Sequence, residues 1–323
     1  MFSNFMSNKQ LKLITNNGHW QTIFPIYLTN YLININYQRE RIYTPDNDFI
    51  DLDWINKDKS QPTLVLFHGM EGNSQSHYAK RIMLYLESIG WRGVVAHARG
   101  CSGELNKTLS SYHAGFTDDI KLVIDHLKKT NPELPLFAAG VSLGGNALLK
   151  FLGENNSNAS KLTAAIAISV PFNLETTSAT FDSGFNKHVY TPYFLNSLLP
   201  KMKRYAEKFP EFKLNPNVKT MEDFNQEYIT QMFNFKDSLE YYRETSSIYY
   251  LKNIHIPTMI IQAENDPMIP PSAWPAKENL STNIRFIRLA SGGHAGFVGK
   301  NRNFKKALLK LPEIMLQYYN KFC

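Results

Sequence analysis

Ser142 stands at the centre of Gly140-Val141-Ser142-Leu143-Gly144, directly behind the apolar run Leu134-Pro135-Leu136-Phe137-Ala138-Ala139. This is a G-x-S-x-G pattern at a strand-to-helix turn, a place where strained backbone geometry leaves a serine hydroxyl exposed. The flanking glycines allow a close approach of chain to chain that bulkier residues would block. A serine hydroxyl is a weak nucleophile near neutral pH, so it needs a base to take its proton and a third group to orient that base. Both can be found downstream, in the chain order Ser, acid, His. His294 lies in Ser291-Gly292-Gly293-His294-Ala295-Gly296-Phe297, directly after the final apolar strand, and suits a general base that later serves as general acid. Asp266 ends the preceding strand in Glu264-Asn265-Asp266-Pro267-Met268-Ile269-Pro270. Its carboxylate would hold the imidazole tautomer and stabilise the imidazolium. Such a set attacks a carbonyl carbon, and the tetrahedral intermediate needs backbone donors for its oxyanion. The Leu143 N–H, next after the serine and at a helix N-terminus, is one expected donor. The Met70 N–H, next after His68-Gly69, is the other.

Each role has rivals. His68, His77, His97 and His113 all precede Ser142, the wrong side for this order, while His188 falls in an aromatic-rich insertion and His255 precedes a strand. Glu264 and Glu175 are the alternative acids. Arg99 could bind an anion, but a buried arginine tying down its own loop is the expected role. There is no His-Glu-x-x-His, no Cys and His cluster, no phosphate loop and no Gly-x-Gly opening of a dinucleotide fingerprint, so neither metal nor cofactor is expected.

The elements that must position these residues alternate. Two short strands over 36–44 and 49–55 flank the turn Pro45-Asp46-Asn47-Asp48, followed by a strand at Thr63-Leu64-Val65-Leu66-Phe67. Helical spacing runs from His77 to Ile89 through Ile82, Met83, Leu86 and Ile89. Then come a strand at Gly93-Val94-Val95-Ala96, a helix near 117–129, the strand before Ser142, a helix over 146–152 and an apolar run over 162–170. Strands resume at 257–263 and 283–289, and one last amphipathic helix is expected over 302–319. This alternation implies βαβ units and a mostly parallel sheet, with chemistry at the carboxyl ends of its strands. Residues 172–250 break the rhythm with many aromatics and read as a helical cap or lid, so the expected organisation is a core over 1–171 and 251–323 interrupted by that insertion.

Composition excludes some classes. The chain has 323 residues, 43% hydrophobic and 13% aromatic, with a formal charge of +7. Its Lys and Arg are scattered without a dense basic run, so no nucleic-acid partner is expected, although peripheral contact with an anionic membrane stays open. The two cysteines, Cys101 and Cys323, make no disulfide framework. No 18 successive apolar residues occur, and Met1 to Leu13 has no apolar segment behind a basic head, so the expected compartment is cytoplasmic. No protein partner is predicted.

Several stretches together resemble one group, the YheT-like α/β-hydrolases. They are Gly18-His19-Trp20-Gln21-Thr22-Ile23-Phe24-Pro25, Phe67-His68-Gly69-Met70-Glu71-Gly72-Asn73-Ser74, His77-Tyr78, Arg99-Gly100-Cys101-Ser102-Gly103, Gly140 to Asn146, and Gly292 to Phe297. The resemblance implies an α/β-hydrolase fold and gives Ser142, Asp266 and His294 the family's catalytic roles. The family's activities include carboxylesterases, fungal medium-chain ester synthases and eukaryotic phospholipases. One departure is Pro171-Phe172-Asn173, where the group's pattern is Pro-Phe-Asp. The expectation is a serine carboxylic-ester hydrolase acting through an acyl-enzyme on a small ester with an apolar acyl chain of short to medium length. The alternatives are an acyltransferase making esters from an acyl donor and an alcohol, and a non-catalytic binding protein on the same fold.

Overall fold

The first element is a helix, α1 (Gly18–Leu32), in which Asn17 accepts the Trp20 N–H as N-cap. It carries no charged residue and contains Pro25, so it has no charged face from which a helical period could be read. In this computed structural model residues 15–154 and 156–323 are described, and the sequence reading of Met1 to Leu13 lies outside them.

The core is one eight-stranded sheet in the order β1-β2-β4-β3-β5-β6-β7-β8. Its strands are β1 (Gln38–Tyr43), β2 (Phe49–Ile55), β3 (Thr63–Phe67), β4 (Arg92–Ala96), β5 (Leu136–Val141), β6 (Ala164–Ile168), β7 (Thr258–Ala263) and β8 (Ile284–Leu289). The pairs β1–β2 and β2–β4 are antiparallel. The remaining pairs are parallel.

Successive side chains of a strand point to opposite faces, and here each face is filled by a different set of helices. Leu64, Leu66, Phe137, Ala139, Ile166 and Ile168 share one core cluster with Ile82, Met83 and Leu86 of α2 (His77–Ile89). Val65, Phe67, Leu136, Ala138, Ala165 and Ala167 pack in another. That second cluster includes Val123 and Ile124 of α3 (Asp118–Thr130), and Leu148 and Leu149 of α4 (Leu143–Glu154). Strands of a parallel sheet buried on both faces read as near-continuous apolar runs, which is why β3 and β5 are legible, whereas β2, equally buried, carries Asp51 and Asp53 on ion pairs.

After the short α5 (Asn156–Ala159) and β6, the segment up to β7 is helical. It comprises α6 (Leu174–Phe181), α7 (Gly184–His188), α8 (Tyr190–Lys208), α9 (Met221–Phe224), α10 (Thr230–Phe233) and α11 (Ser238–Thr245). These helices form a third apolar cluster, with Leu195, Leu198, Met202, Phe224 and Tyr241 buried against Met268 and Ile269 behind β7.

The expected single C-terminal helix is two: α12 (Phe304–Leu308) and α13 (Lys310–Tyr319). Pro312 has no N–H to give the Leu308 carbonyl four residues back. That carbonyl instead accepts Arg81 Nε from α2 at 2.6 Å. Among the described residues no helix is long and apolar enough to cross a membrane.

Candidate active site

Strand register brings the site together. Phe67 pairs with Gly140, so Met70, three residues past the end of β3, and Ser142, just past β5, emerge side by side. Ala263 pairs with Leu289, so the loops carrying Asp266 and His294 also emerge as neighbours. All of these lie at the carboxyl ends of parallel strands, where open α/β sheets gather ligands.

Ser142 sits at φ 54°, in the left-handed region. Such geometry in a non-glycine residue costs on the order of 1–3 kcal/mol and persists only where its surroundings over-determine it. They do. The Ser142 N–H donates to Ile168 O at 2.9 Å, and its carbonyl accepts the Asn146 N–H at 3.0 Å. A Cβ on Gly140 would lie 2.5 Å from Gly144 O, and one on Gly144 would collide with the Phe67 and His68 carbonyl oxygens. The two glycines are therefore steric requirements of the turn.

His294 Nδ1–H donates to Asp266 Oδ2 at 2.9 Å. The other carboxylate oxygen, Oδ1, accepts the Met268 N–H at 2.9 Å and the Ile269 N–H at 3.2 Å. The carboxylate is thus held on both sides, with its side chain 1% exposed against 13% for His294. Ser142, His294, Met70 and Leu143 line one narrow apolar cavity of about 90 Å³, walled by Leu198, Met202 and Phe194 among others. Among the described residues no hydrogen bond joins the Ser142 hydroxyl to His294; such contacts are commonly loose before substrate binds. The Met70 and Leu143 N–H groups have no acceptor among the described residues. Both are free to face an oxyanion.

Of the rivals, His113 alone shares this cavity. Glu264 is half exposed and 3.6 Å from Arg288, while Glu175, His188 and His255 are exposed. His68 is buried, donates from Nδ1 to Gly69 O and accepts the Ala98 N–H on Nε2. Burial, reinforced by the neighbouring His97, lowers its pKa to about 3, so it is a neutral strut. His113 lines the cavity, and burial with the nearby Lys150 charge takes its pKa to about 3. His97 bonds Asp53 at 2.8 Å. Arg99 is buried and paired with Asp46 and Asp119, as expected of a loop-tying arginine. Asn173 caps α6 by accepting the Thr176 N–H at 3.0 Å. Asn and Asp serve equally at that position, which accounts for the departure from Pro-Phe-Asp.

Sequence reasoning missed the residues that hold these loops. Thr22 Oγ1 on α1 accepts the His294 N–H at 2.9 Å. Asn265 Oδ1 accepts the Gly292 and Gly293 N–H groups, while its amide donates to Gln21 Oε1 at 3.0 Å. Beneath them Arg81, fully buried, donates from Nη1 to Gly296 O at 2.7 Å. Ala295 and Phe297 in this loop also have positive φ, so the loop is strained and needs such clamps. Asn146 Nδ2 donates to Ala114 O and Thr245 O, and its Oδ1 accepts the Ser247 N–H, which ties the serine turn to the end of α11. Glu71 is pinned by Lys201 and Ser197 of α8 and by Tyr112, which fixes the loop bearing Met70. The only sequence signal for these residues was that several lie inside the family-like stretches.

Among the described residues no group of His, Cys, Asp and Glu could hold a metal ion. Strand order, the strained serine turn and the paired His294 and Asp266 define an α/β-hydrolase architecture. Residues 62–300 match the family model described as alpha/beta hydrolase fold. A Pyrococcus furiosus esterase, Pf2001, has a similar fold, with a TM-score of 0.57 at 16% identity over 89% of this chain and 93% of that one. Among curated proteins, Putative esterase YheT of Escherichia coli (strain K12) is 34% identical, covering 88% of this chain and 85% of that protein. Phospholipase ABHD3 of Mus musculus is 31% identical, over 82% of this chain and 67% of its own length. The chain belongs to the α/β-hydrolase family, in the group that includes YheT.

Proposed function

We propose that the chain is a serine carboxylic-ester hydrolase working through an acyl-enzyme, with Ser142, His294 and Asp266 as its catalytic triad. Ser142 Oγ attacks the ester carbonyl carbon as His294 Nε2 takes its proton, and the Asp266 carboxylate stabilises the imidazolium through the Nδ1–H. The Met70 and Leu143 N–H groups receive the oxyanion, the latter aided by the N-terminal dipole of α4. His294 then returns the proton to the departing alcohol, and water repeats the sequence on the acyl-enzyme. The observation that carries this reading is the convergence of a strained serine and a carboxylate-held histidine on one apolar cavity. A wall of Met, Leu and Phe side chains suits an apolar acyl chain of short to medium length on a small ester. Residues 172–250 act as the cap over it. The relatives' names, Putative esterase YheT and Phospholipase ABHD3, speak for ester-bond chemistry in the group.

The test is a fluorophosphonate serine probe, with the adduct located by peptide mass spectrometry and Ser142→Ala alongside. Stoichiometric labelling at Ser142, lost in the variant, is the expected result, followed by turnover in a screen of p-nitrophenyl esters of increasing chain length. Folded protein that takes up no label at Ser142 would refute the proposal.

A further inference from the structure

Helix α1 has two faces with different work. Its inner face meets the loops of the candidate site, through Thr22 to His294 and Gln21 to Asn265. Its outer face presents Trp20, Phe24, Tyr27 and Tyr31 at spacings of four, three and four residues, within an arc of roughly 60° at 100° per residue. Trp20 is 62%, Tyr27 72% and Tyr31 87% exposed. Exposed aromatics in a line on a charge-free helix are unusual on a surface meant only for water.

Beside this stripe the charge has one sign. From Ser291 to Pro312 the chain contains no Asp or Glu. Lys300, Arg302, Lys305 and Lys306 are exposed there, with no ion pair among the described residues. Exposed Phe304 sits among them on α12, which packs beside α1. An apolar groove lined by Trp20, Phe24, Pro25 and Val298 joins the two segments. On its other side the aromatic surface continues onto the cap. His19 packs on exposed Phe185 with ring centroids 4.3 Å apart, and exposed Tyr193 meets Phe194, a residue of the cavity wall, at 5.3 Å.

We propose that α1 is an interfacial docking helix that lays its Trp20–Tyr31 stripe into an anionic lipid bilayer, with Lys300, Arg302, Lys305 and Lys306 contacting the headgroups. Trp and Tyr favour the bilayer boundary because their rings are apolar and their tips polar. Basic residues beside such a face add attraction to anionic lipid. Docking in this pose sets the His294 and Asp266 loops directly behind the membrane-facing helix. The use of that pose, access to ester substrates from the lipid phase, rests on the proposed hydrolase activity; the docking itself does not.

The experiment is co-sedimentation of the full chain with vesicles of phosphatidylcholine containing phosphatidylglycerol, against pure phosphatidylcholine, with Trp fluorescence read in parallel. Binding to the anionic vesicles, weakened by salt and accompanied by a blue shift that Trp20→Ser abolishes, is expected. Lys305→Glu with Lys306→Glu should lower the partition coefficient about tenfold or more. Trp20→Ser with Tyr27→Ser and Tyr31→Ser should remove binding, while circular dichroism stays unchanged because all three side chains are exposed. Ser142→Ala should bind as the wild type does. Binding without labelling of Ser142 would defeat the hydrolase reading alone; labelling without binding would defeat docking alone. A dimer in light scattering that the triple aromatic variant dissolves, with no vesicle binding, would make the stripe a subunit contact and overturn the proposal.

Discussion

Replacing Asp266 by Asn tests the site at its most constrained atom. The carboxylate uses Oδ1 for the Met268 and Ile269 N–H groups and Oδ2 for His294 Nδ1–H. An asparagine must keep its oxygen on the two backbone donors, because turning its NH2 toward them would oppose donor to donor and leave buried N–H groups unpaired. The amide NH2 then faces Nδ1, which can only accept, so the imidazole proton moves to Nε2. That tautomer points a proton at Ser142 and cannot receive one. The expected loss in kcat is about 10³–10⁴-fold, or about 4–5.5 kcal/mol of barrier. Since the backbone hydrogen bonds of the loop survive, the thermal midpoint should move little. The assay is kcat on a p-nitrophenyl ester together with the rate of fluorophosphonate labelling. Glu264→Gln serves as the control, since Glu264 is half exposed and paired loosely with Arg288. A variant Asp266→Asn that retains kcat within about tenfold of wild type, where at least a thousandfold loss is expected, would refute the tautomer argument and with it the role of Asp266.

Other expectations follow from the supporting residues. Arg81→Met strips a donor from the Leu308, Gly296 and Ala295 carbonyls; urea unfolding should show a loss of about 2–4 kcal/mol, and kcat should fall more than KM rises because the His294 loop loosens. A lysine at that position cannot span the same carbonyls and should not rescue it. Asp53 is buried, which by itself would raise its pKa, but hydrogen bonds from Arg39, His97 and Ser74 outweigh this and hold its carboxyl far below the usual carboxylate range. The stability this carboxylate contributes is therefore complete above about pH 4 and lost as pH falls below it; Asp53→Asn should lower the urea midpoint at pH 7 and flatten its fall in acid. Asn173→Asp restores the family residue but only exchanges one good N-cap for another, so kcat should stay within about twofold, and a large gain would mean that a carboxylate there acts in the site.

Much of the sheet was legible because its signals are local. A strand buried on both faces reads as a near-continuous apolar run, so β3 is found over the expected residues 63–67, and α2 over 77–89, where Ile82, Met83 and Leu86 repeat at helical spacing. The serine turn was legible for a different reason: Gly140 and Gly144 answer to sterics within a few residues of Ser142 and against the neighbouring β3 end. Helix α1 was not legible as a core-facing helix, since it is charge-free, contains Pro25 and inverts the usual pattern, burying Gln21, Thr22 and Thr29 while Trp20, Tyr27 and Tyr31 stay exposed. The break between α12 and α13 had a local signal in Pro312, which cannot donate to the Leu308 carbonyl, but the partner that takes up that carbonyl, Arg81, lies more than 220 residues away along the chain and no local rule announces it.

What the sequence determined by itself was the set of elements and the chemical types available, because backbone sterics and the two hydrophobic periods act over a few residues. It favoured Asp266 over Glu264 and Glu175 as the partner of His294 but could not bring any of them to it. The structure decided this through the register of β7 with β8, which buries Asp266 beside the imidazole while Glu264 and Glu175 stay toward solvent. Tertiary packing also gave α1 its two faces, one on the His294 loop and one open. Such pairings depend on which distant surfaces close on one another, and the free energy that selects them is burial and hydrogen bonding summed over the whole fold.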